Sequence, residues 1–161
     1  MKPVHTFIRN AQIGDLSAVR ALFSEYLASL SADAAFQDIE AELADLPGDY
    51  AQPRGALLLA EYAGELVGCC ALRALDTSVY ANAAEMKRLY VRPAMRGLGL
   101  GRQLAEAALD AARLAGYACV LLDTLDDMEV ARTLYGELGF TEIPAFYDNP
   151  PAGANYLKAD L

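Results

Sequence analysis

The sequence predicts a mixed α/β fold in which one sheet carries helices on both faces. Stretches with apolar residues at helical spacing alternate with short apolar runs typical of strands, in the order β-α-α-β-β-β-α-β-α-β-β. Glycine and proline separate these stretches, without a linker, repeat or low-complexity segment. The chain has 161 residues, 55% of them hydrophobic and 22% charged. We therefore expect one domain spanning residues 1–161.

The N-terminal third predicts one strand and two helices. Residues 5–11, HTFIRNA, form a short strand. Apolar residues recur at helical spacing over residues 16–30. A second amphipathic helix covers residues 33–46 and is stopped by Pro47-Gly48. The aromatic residues of this third, Phe7, Phe23 and Phe36, are predicted to lie in the core.

The middle of the chain predicts three consecutive strands. Residues 55–62 and 66–75 are apolar runs joined by Ala63-Gly64-Glu65, which predicts a tight hairpin. Residues 84–91 form the next strand and lead into a turn that is rich in glycine and arginine.

The C-terminal half predicts two helices and three strands. A long alanine-rich helix covers about residues 99–115, and the apolar run 117–124 is typical of a buried parallel strand. Residues 127–138 form a helix that Gly139 caps. Two final strands, residues 140–143 and 154–161, flank a loop rich in proline, glycine and asparagine.

The three cysteines indicate reduced core thiols. Cys69 and Cys70 are neighbours in a strand and would point to opposite faces, so they predict no disulfide. A structural zinc site needs about four Cys or His ligands, and His5 is the only histidine. His5 is therefore interpreted as a surface residue, and no metal is expected.

Charge is distributed unevenly along the chain. The net charge is −9, yet residues 87–102 hold five basic residues and no acid. An acidic body disfavours nucleic acid as the main partner, whereas the basic segment suits a small polyanion. No apolar run approaches the length of a membrane span, and residues 1–15 lack an apolar signal core. These observations predict a cytoplasmic protein with no membrane partner.

The glycine turn matches neither of two familiar phosphate-binding loops. The GxxxxGK[ST] pattern of a P-loop is absent, and Gly97, Gly99 and Gly101 lack the third glycine of GxGxxG because position 102 is arginine. The pattern that remains is Arg96-x-x-Gly99-x-Gly101 between a strand and a helix. Bare amides at a helix start can converge on a pyrophosphate, and Arg96 and Arg102 would add charge-assisted hydrogen bonds.

This turn resembles the acyl-CoA-binding segment of the GNAT N-acetyltransferases, which carry [RQ]xxGx[GA] here. The preceding strand EMKRLYV (85–91) and the later LYGELGF (134–140) resemble further family motifs. The resemblance covers most of the chain. It implies about seven mostly antiparallel strands with a parallel central pair and four helices, with acetyl-CoA as co-substrate.

The resemblance also implies a cofactor site. Residues 88–91 would splay from the neighbouring strand at 119–122, so that backbone groups of Leu89 and Val91 bond the pantetheine arm. The N–H of Leu89 or Tyr90 would polarise the acetyl carbonyl. The implied cofactor-binding residues are Leu89, Tyr90, Val91, Arg96, Gly97, Leu98, Gly99, Leu100, Gly101 and Arg102.

Two residues are predicted to be catalytic. Tyr135 occupies the family's general-acid position, and Glu85 occupies the position where some members place their base. An amine with a pKa near 10 must lose a proton before it attacks, which is why a base is needed. Asp123 and Asp126 are alternative bases. Met128 replaces an asparagine that bonds the cofactor in many relatives.

The acceptor is predicted to be a primary amine of a small molecule, an amino acid or a peptide. Tyr147, Asn149 and Tyr156 belong to a segment that covers the acceptor pocket in relatives, or else to a rigid surface turn. The resemblance implies direct transfer in a ternary complex, and homodimers are common in this architecture. The alternative function is a GNAT-like module that senses acyl-CoA without turnover, which Met128 favours.

Overall fold

A computed structural model describes residues 6–30, 39–76, 79–125, 129–147, 150 and 153–161. The strands are β1 (Thr6–Asn10), β2 (Ala56–Tyr62), β3 (Glu65–Leu75), β4 (Ala83–Val91), β5 (Cys119–Leu125), β6 (Thr141–Ile143) and β7 (Ala154–Asp160). The helices are α1 (Leu16–Ala28), α2 (Ile39–Asp45), α3 (Leu100–Ala115) and α4 (Glu129–Glu137). The predicted order of strands and helices is confirmed.

Element boundaries differ from the predicted ones where local hydrogen bonds fix them. The Tyr117 N–H donates to the carbonyl of Ala112 and closes the end of α3, so β5 begins only at Cys119. The hairpin between β2 and β3 turns on Ala63 and Gly64, both with positive φ, and β3 already includes Glu65. The predicted helix residues 33–38 and 127–128 lie outside the described residues.

The seven strands of the described residues form one sheet in the order β1-β2-β3-β4-β5-β7-β6. Neighbouring strands run antiparallel except β4 and β5, which are parallel and central. This mixed α/β sheet with a parallel central pair confirms the predicted fold class. The parallel pair directs the carboxyl ends of two buried strands toward the same edge of the sheet, and the glycine turn follows β4.

The core lies on both faces of the sheet. On one face, α3 packs Leu104, Ala108 and other buried residues against alternate positions of β2 to β5. On the opposite face, α1 buries Leu22 and Phe23. Cys69 belongs to the second cluster and Cys70 to the first, which confirms that these neighbours point to opposite faces. Both are free thiols.

The prediction that Phe7 lies in the core is wrong. Its side chain is 54% exposed, whereas Phe23 is fully buried as predicted. Phe7 lies on β1, an edge strand that pairs with β2 alone. Neither helix that covers the centre of the sheet encloses this position, and Phe36 lies outside the described residues.

Asp15 stabilises the entry into α1 and makes part of the stability depend on pH. Its carboxylate accepts two bonds from Arg9, at 2.7 and 3.0 Å, and one from the Gln12 N–H at 2.8 Å. The Arg9 bonds, followed by the Gln12 bond, lower the pKa of Asp15 to about 2. A folded-state pKa below the ordinary value means that this stability is present above pH 4 and is lost as the pH falls through 2.

Asp15→Asn is expected to lower the free energy of unfolding by about 1 kcal/mol at pH 7, a modest value because the pair is partly exposed. The difference from the unsubstituted protein should shrink as the pH falls toward 2, as measured by urea unfolding. Asp110→Asn is the control, because the pair of Asp110 with Arg113 is exposed. A difference that does not change with pH would contradict the charge-based contribution of Asp15.

Candidate active site

The parallel strands β4 and β5 diverge at the centre of the sheet. They pair at only three positions, and the last pair is Glu85 with Leu121. Beyond it β5 continues against β7, whereas residues 86–91 of β4 remain paired with β3 alone within the described chain. The predicted splay is present, but its position differs, since residues 119–121 are paired and residues 122–125 face the gap.

The glycine turn forms a cradle of backbone N–H groups beside this gap. Gly97 and Gly99 have φ values of 85° and 80°, which glycine adopts without strain. The first helical hydrogen bond of α3 runs from Gln103 to the carbonyl of Gly99. In the described chain, the N–H groups of residues 97–102 therefore donate to no backbone carbonyl.

The cradle is open to an approaching ligand. A methyl group added at Gly97 or Gly99 would meet no atom within 4 Å. At Gly101, inside the first turn of α3, the same methyl would contact Val91 and Leu134 at 3.9 and 4.0 Å. The positive φ values at positions 97 and 99 thus favour glycine, and the space above both residues is open. The φ of Gly101 does not require glycine.

The two arginines of the turn already have partners. The Arg96 Nε donates to the Val91 carbonyl at 3.0 Å, and its guanidinium lies 5.9 Å from the centre of the Tyr90 ring. Arg102 forms an ion pair with Glu137 of α4. Arg96 is exposed and Arg102 is partly exposed, and the recorded bonds use only some of the N–H groups of each guanidinium.

The basic residues of segment 87–102 form ion pairs with acids from other parts of the chain. Arg92 donates to Glu25 through Nε and an Nη at 3.1 and 2.9 Å. Arg88 donates to Glu42 at 3.1 and 3.2 Å. With Arg102 on Glu137, at least three of the five basic residues are paired with acids from distant parts of the chain.

Arg88 is held at a β-bulge in β4. The register with β3 shifts between Cys69 and Ala71, and Arg88 has a φ of 61°. Its side chain is only 4% exposed, and Glu42 pairs with it while accepting a bond of 2.7 Å from the Tyr50 hydroxyl. Burial opposes the ionised form of Glu42, but the bonds from Arg88 and Tyr50 lower its pKa below the ordinary value. The bulge thus joins β4 to α2.

Glu85, the predicted base, is enclosed by its partners. Its side chain has no exposed surface. One carboxylate oxygen accepts the Arg73 Nε at 2.8 Å, and the other accepts the Tyr147 hydroxyl at 2.6 Å. An Nη of Arg73 also donates to the Tyr147 oxygen at 3.1 Å. Glu85 therefore ties the segment before β7 to the sheet.

Two tyrosines approach the gap from opposite faces. Tyr135 lies in the α3-side cluster, 5.6 Å from the ring of Phe140, and is 7% exposed. Tyr26 of α1 packs edge-on against Tyr90 at 6.1 Å. Burial raises the pKa of Tyr135 well above its ordinary value and that of Tyr26 to about 12, so both phenols stay protonated near neutral pH.

Several predicted residues are brought together and others are not described. Tyr156 pairs with Asp123 across β5 and β7, and Phe146 packs 4.8 Å from the Tyr156 ring. This places the described part of the loop, including Tyr147, on the face that carries Glu85. His5, Asp126, Met128 and Asn149 lie outside the described residues.

Sequence reasoning missed Arg73, Tyr26 and Lys87. Arg73 lies opposite Glu85 in the β3–β4 register, and burial lowers the pKa of Lys87 although Glu85 and Asp123 raise it. A charged residue inside the apolar run LVGCCALRAL was a signal for Arg73. Nothing in the helical pattern distinguished Tyr26 from a core aromatic residue.

In the part of the chain that the structure describes, no three side chains of His, Cys, Asp or Glu converge in a way that would hold a metal ion. None of the described helices has both the length and the apolar character needed to cross a bilayer.

The chain is similar to known acetyltransferases over its whole length. It is 34% identical to an uncharacterised N-acetyltransferase of Schizosaccharomyces pombe, with 100% of this chain and 98% of that protein aligned. A putative acetyltransferase from Salmonella typhimurium, solved with its cofactor acetyl-CoA, superimposes with a TM-score of 0.75 at 21% identity, covering 97% and 94% of the two chains. The PaiA N-acetyltransferase of Thermoplasma acidophilum, solved with coenzyme A, gives 0.73 at 19% identity, covering 98% and 99%.

The central parallel pair, the gap beyond it and the glycine turn define the class as the acyl-CoA N-acyltransferase fold, which the solved neighbours share. The model of the acetyltransferase (GNAT) family matches residues 17–140. The chain therefore belongs to the GNAT acetyltransferase family.

Proposed function

We propose that this protein is an N-acetyltransferase that moves an acetyl group from acetyl-CoA to a primary amine of a small molecule, an amino acid or a peptide. The observation that carries the proposal is the amide cradle of residues 97–102 beside the gap between β4 and β5. An anion-binding helix start next to an opened parallel pair can hold a diphosphate and its attached arm. Family membership supports the same assignment.

The residues present fit this cofactor. Gly97 and Gly99 leave the cradle open, and a diphosphate there would be held by the N–H groups of residues 97–102. Arg96 and Arg102 at its rim would add charge, and Leu98 and Leu100 belong to the same turn. The unpaired edge of β4, from Leu89 through Tyr90 to Val91, would hold the pantetheine arm. Bound acetyl-CoA supplies an activated acetyl thioester.

Tyr135 is proposed as the general acid. Burial raises the pKa of its phenol, so it retains the proton until a thiolate forms next to it. Its position in the cluster that lines the α3 side of the sheet puts it on one face of the gap. An amine would enter from the opposite face, where Tyr26, Lys87 and Tyr147 lie.

The experiment that tests this function is a thiol-release assay with acetyl-CoA and a panel of amines. The panel contains amino acids, short peptides and aliphatic amines, and mass spectrometry detects the N-acetyl product. We expect release of coenzyme A that depends on the amine. Tight binding of acetyl-CoA without release for any amine would instead indicate a sensing module. The cytoplasmic location, the homodimer and the length of the acyl group stay predictions.

A further inference from the structure

We propose that Asp123, and not Glu85, accepts the proton of the acceptor amine, while Glu85 positions the acceptor side of the site through Tyr147. This inference rests on the proposed function. It changes which carboxylate takes part in the chemistry, and it gives the enclosed Glu85 a separate, measurable role.

The register of the sheet places Asp123 in the gap. Asp123 lies two residues beyond Leu121, the last β5 residue that pairs with β4. Side chains alternate along a strand, so Asp123 shares a face with Leu121 and, across the ladder, with Glu85. The cluster formed by Ala83, Cys119 and Leu121 belongs to this face. Asp123 is thus the first acidic side chain past the point where the strands separate.

Access distinguishes the two carboxylates. Glu85 is 0% exposed, and each of its oxygens already accepts a hydrogen bond. Asp123 is partly exposed. A base must be reached by the amine or by a water molecule, and Asp123 meets this requirement whereas Glu85 does not.

The surroundings of Asp123 are mixed in charge. Burial, followed by the negative charge of Glu85, raises the pKa of Asp123 above its ordinary value, while Lys87 and Arg88 oppose the shift. A carboxylate whose pKa lies closer to neutrality is a stronger base. The titratable groups that face Asp123 from its own side are Glu85, Lys87, Arg88, Tyr26 and Tyr156, and Tyr135 interacts with it electrostatically from the α3 side.

The proposed base and the proposed acid lie on opposite faces of the gap. Val120 and Leu122 point into the α3-side cluster that contains Tyr135, whereas Leu121 and Asp123 point to the other face. An acyl group held between β4 and β5 would therefore have a proton acceptor on one side and a proton donor on the other. The amine enters on the Asp123 side, and the leaving thiolate lies on the Tyr135 side.

Two protons leave the acceptor nitrogen and one reaches the thiolate. Asp123 accepts one proton from the ammonium form of the acceptor and later releases it to solvent. The neutral nitrogen forms a C–N bond to the acyl carbon while the C–S bond breaks. Tyr135 donates its phenol proton to the departing thiolate. The second proton that leaves the nitrogen as the amide forms restores the Tyr135 phenol through solvent.

Glu85 has a positioning role on the same face. It holds Arg73 and the Tyr147 hydroxyl, and Tyr147 comes from the segment that precedes β7. Phe146, next in the chain, packs on Tyr156, which is the β7 partner of Asp123. Loss of the hydrogen bond between Glu85 and Tyr147 should loosen the segment that precedes β7. Acceptor binding should then weaken, although the proton acceptor Asp123 is still present.

The test compares pH profiles of coenzyme A release with the best amine of the panel. Asp123→Asn is expected to lower kcat/KM about tenfold or more at pH 7. The loss should shrink as the pH approaches 10, because the amine then arrives neutral. Acetyl-CoA affinity, measured by calorimetry, should stay within about twofold, and formate should partly restore Asp123→Ala, which a merely structural aspartate would not allow.

Glu85→Gln and Tyr147→Phe are the comparison variants, and the second keeps the test valid if the first folds poorly. Both are expected to raise the KM for the amine severalfold and to keep the shape of the pH profile. An Asp123→Asn profile that matches the unsubstituted protein, or a pH-dependent loss in Glu85→Gln, would overturn the inference. Absence of release by the unsubstituted protein with every amine would instead end the proposed function itself.

Discussion

Gly99→Glu is expected to abolish coenzyme A binding while leaving the protein folded. Position 99 has a φ of 80°, and the space above it is empty to 4 Å. A glutamate there would put a carboxylate where the diphosphate is proposed to bind, at the start of α3. Loss of the charge-assisted bonds and the added repulsion together should weaken binding by more than about 100-fold. Calorimetry with coenzyme A measures the affinity, and circular dichroism measures the fold.

The control for this prediction is Gly64→Glu. Gly64 has a φ of 84° and equally empty surroundings, but it lies in the hairpin between β2 and β3. Both variants carry the same backbone strain, of about 1 kcal/mol, and the same added charge. Gly64→Glu should therefore lose similar stability and keep its coenzyme A affinity. Equal affinities for the two variants would remove the diphosphate site from the glycine turn.

The fold was predictable because local patterns and long-range contacts agree. The 16 residues of α3 bury one stripe, including Leu100, Leu104 and Ala108, at the spacing that the sequence displays. In contrast, the exposed position of Phe7 depends on which strands lie at the edge of the sheet. Apolar spacing within a segment contains no information about that order.

The candidate site was predictable only in part, because its charges are paired across the chain. The partners of Arg88 and Arg92 lie 46 and 67 residues away in sequence, and the partner of Arg102 lies 35 residues away. The composition of residues 87–102 alone therefore indicates a basic segment, whereas in the folded protein these arginines form ion pairs. The backbone of the turn was predictable, because glycine at positive φ is a local requirement.

The enclosure of Glu85 was likewise not predictable from the sequence. The sequence predicted that Glu85 lies in a strand, and its position in the family motif suggested the role of a base. Its enclosure arises from Arg73 on β3 and from Tyr147, which lies 62 residues further along the chain. Motif position can thus identify a residue that belongs to the site, while access to substrate depends on contacts that only the folded chain supplies.

Tyr135→Phe is expected to lower kcat by about 10- to 1000-fold, the range for loss of a general acid. The change removes one hydroxyl and keeps the ring that packs on Phe140, so the core of α4 should be preserved. Acetyl-CoA affinity should stay nearly unchanged, because the cradle of residues 97–102 is untouched. Single-turnover measurements of thiol release separate the chemical step from binding.

The matched control is Tyr117→Phe. Tyr117 is also buried in the α3-side cluster, and its hydroxyl donates to the Arg54 carbonyl at 2.6 Å. It precedes the start of β5, whereas the gap lies beside the other end of that strand. This variant should lose some stability and keep its kcat. Since burial raises the pKa of Tyr135 well above 10, its phenol stays protonated through pH 9, and the unsubstituted protein should show no loss of rate there from this group. Full activity of Tyr135→Phe would assign the acid to another donor, and Tyr26 on the opposite face, which interacts electrostatically with Tyr135, is the next tyrosine to substitute.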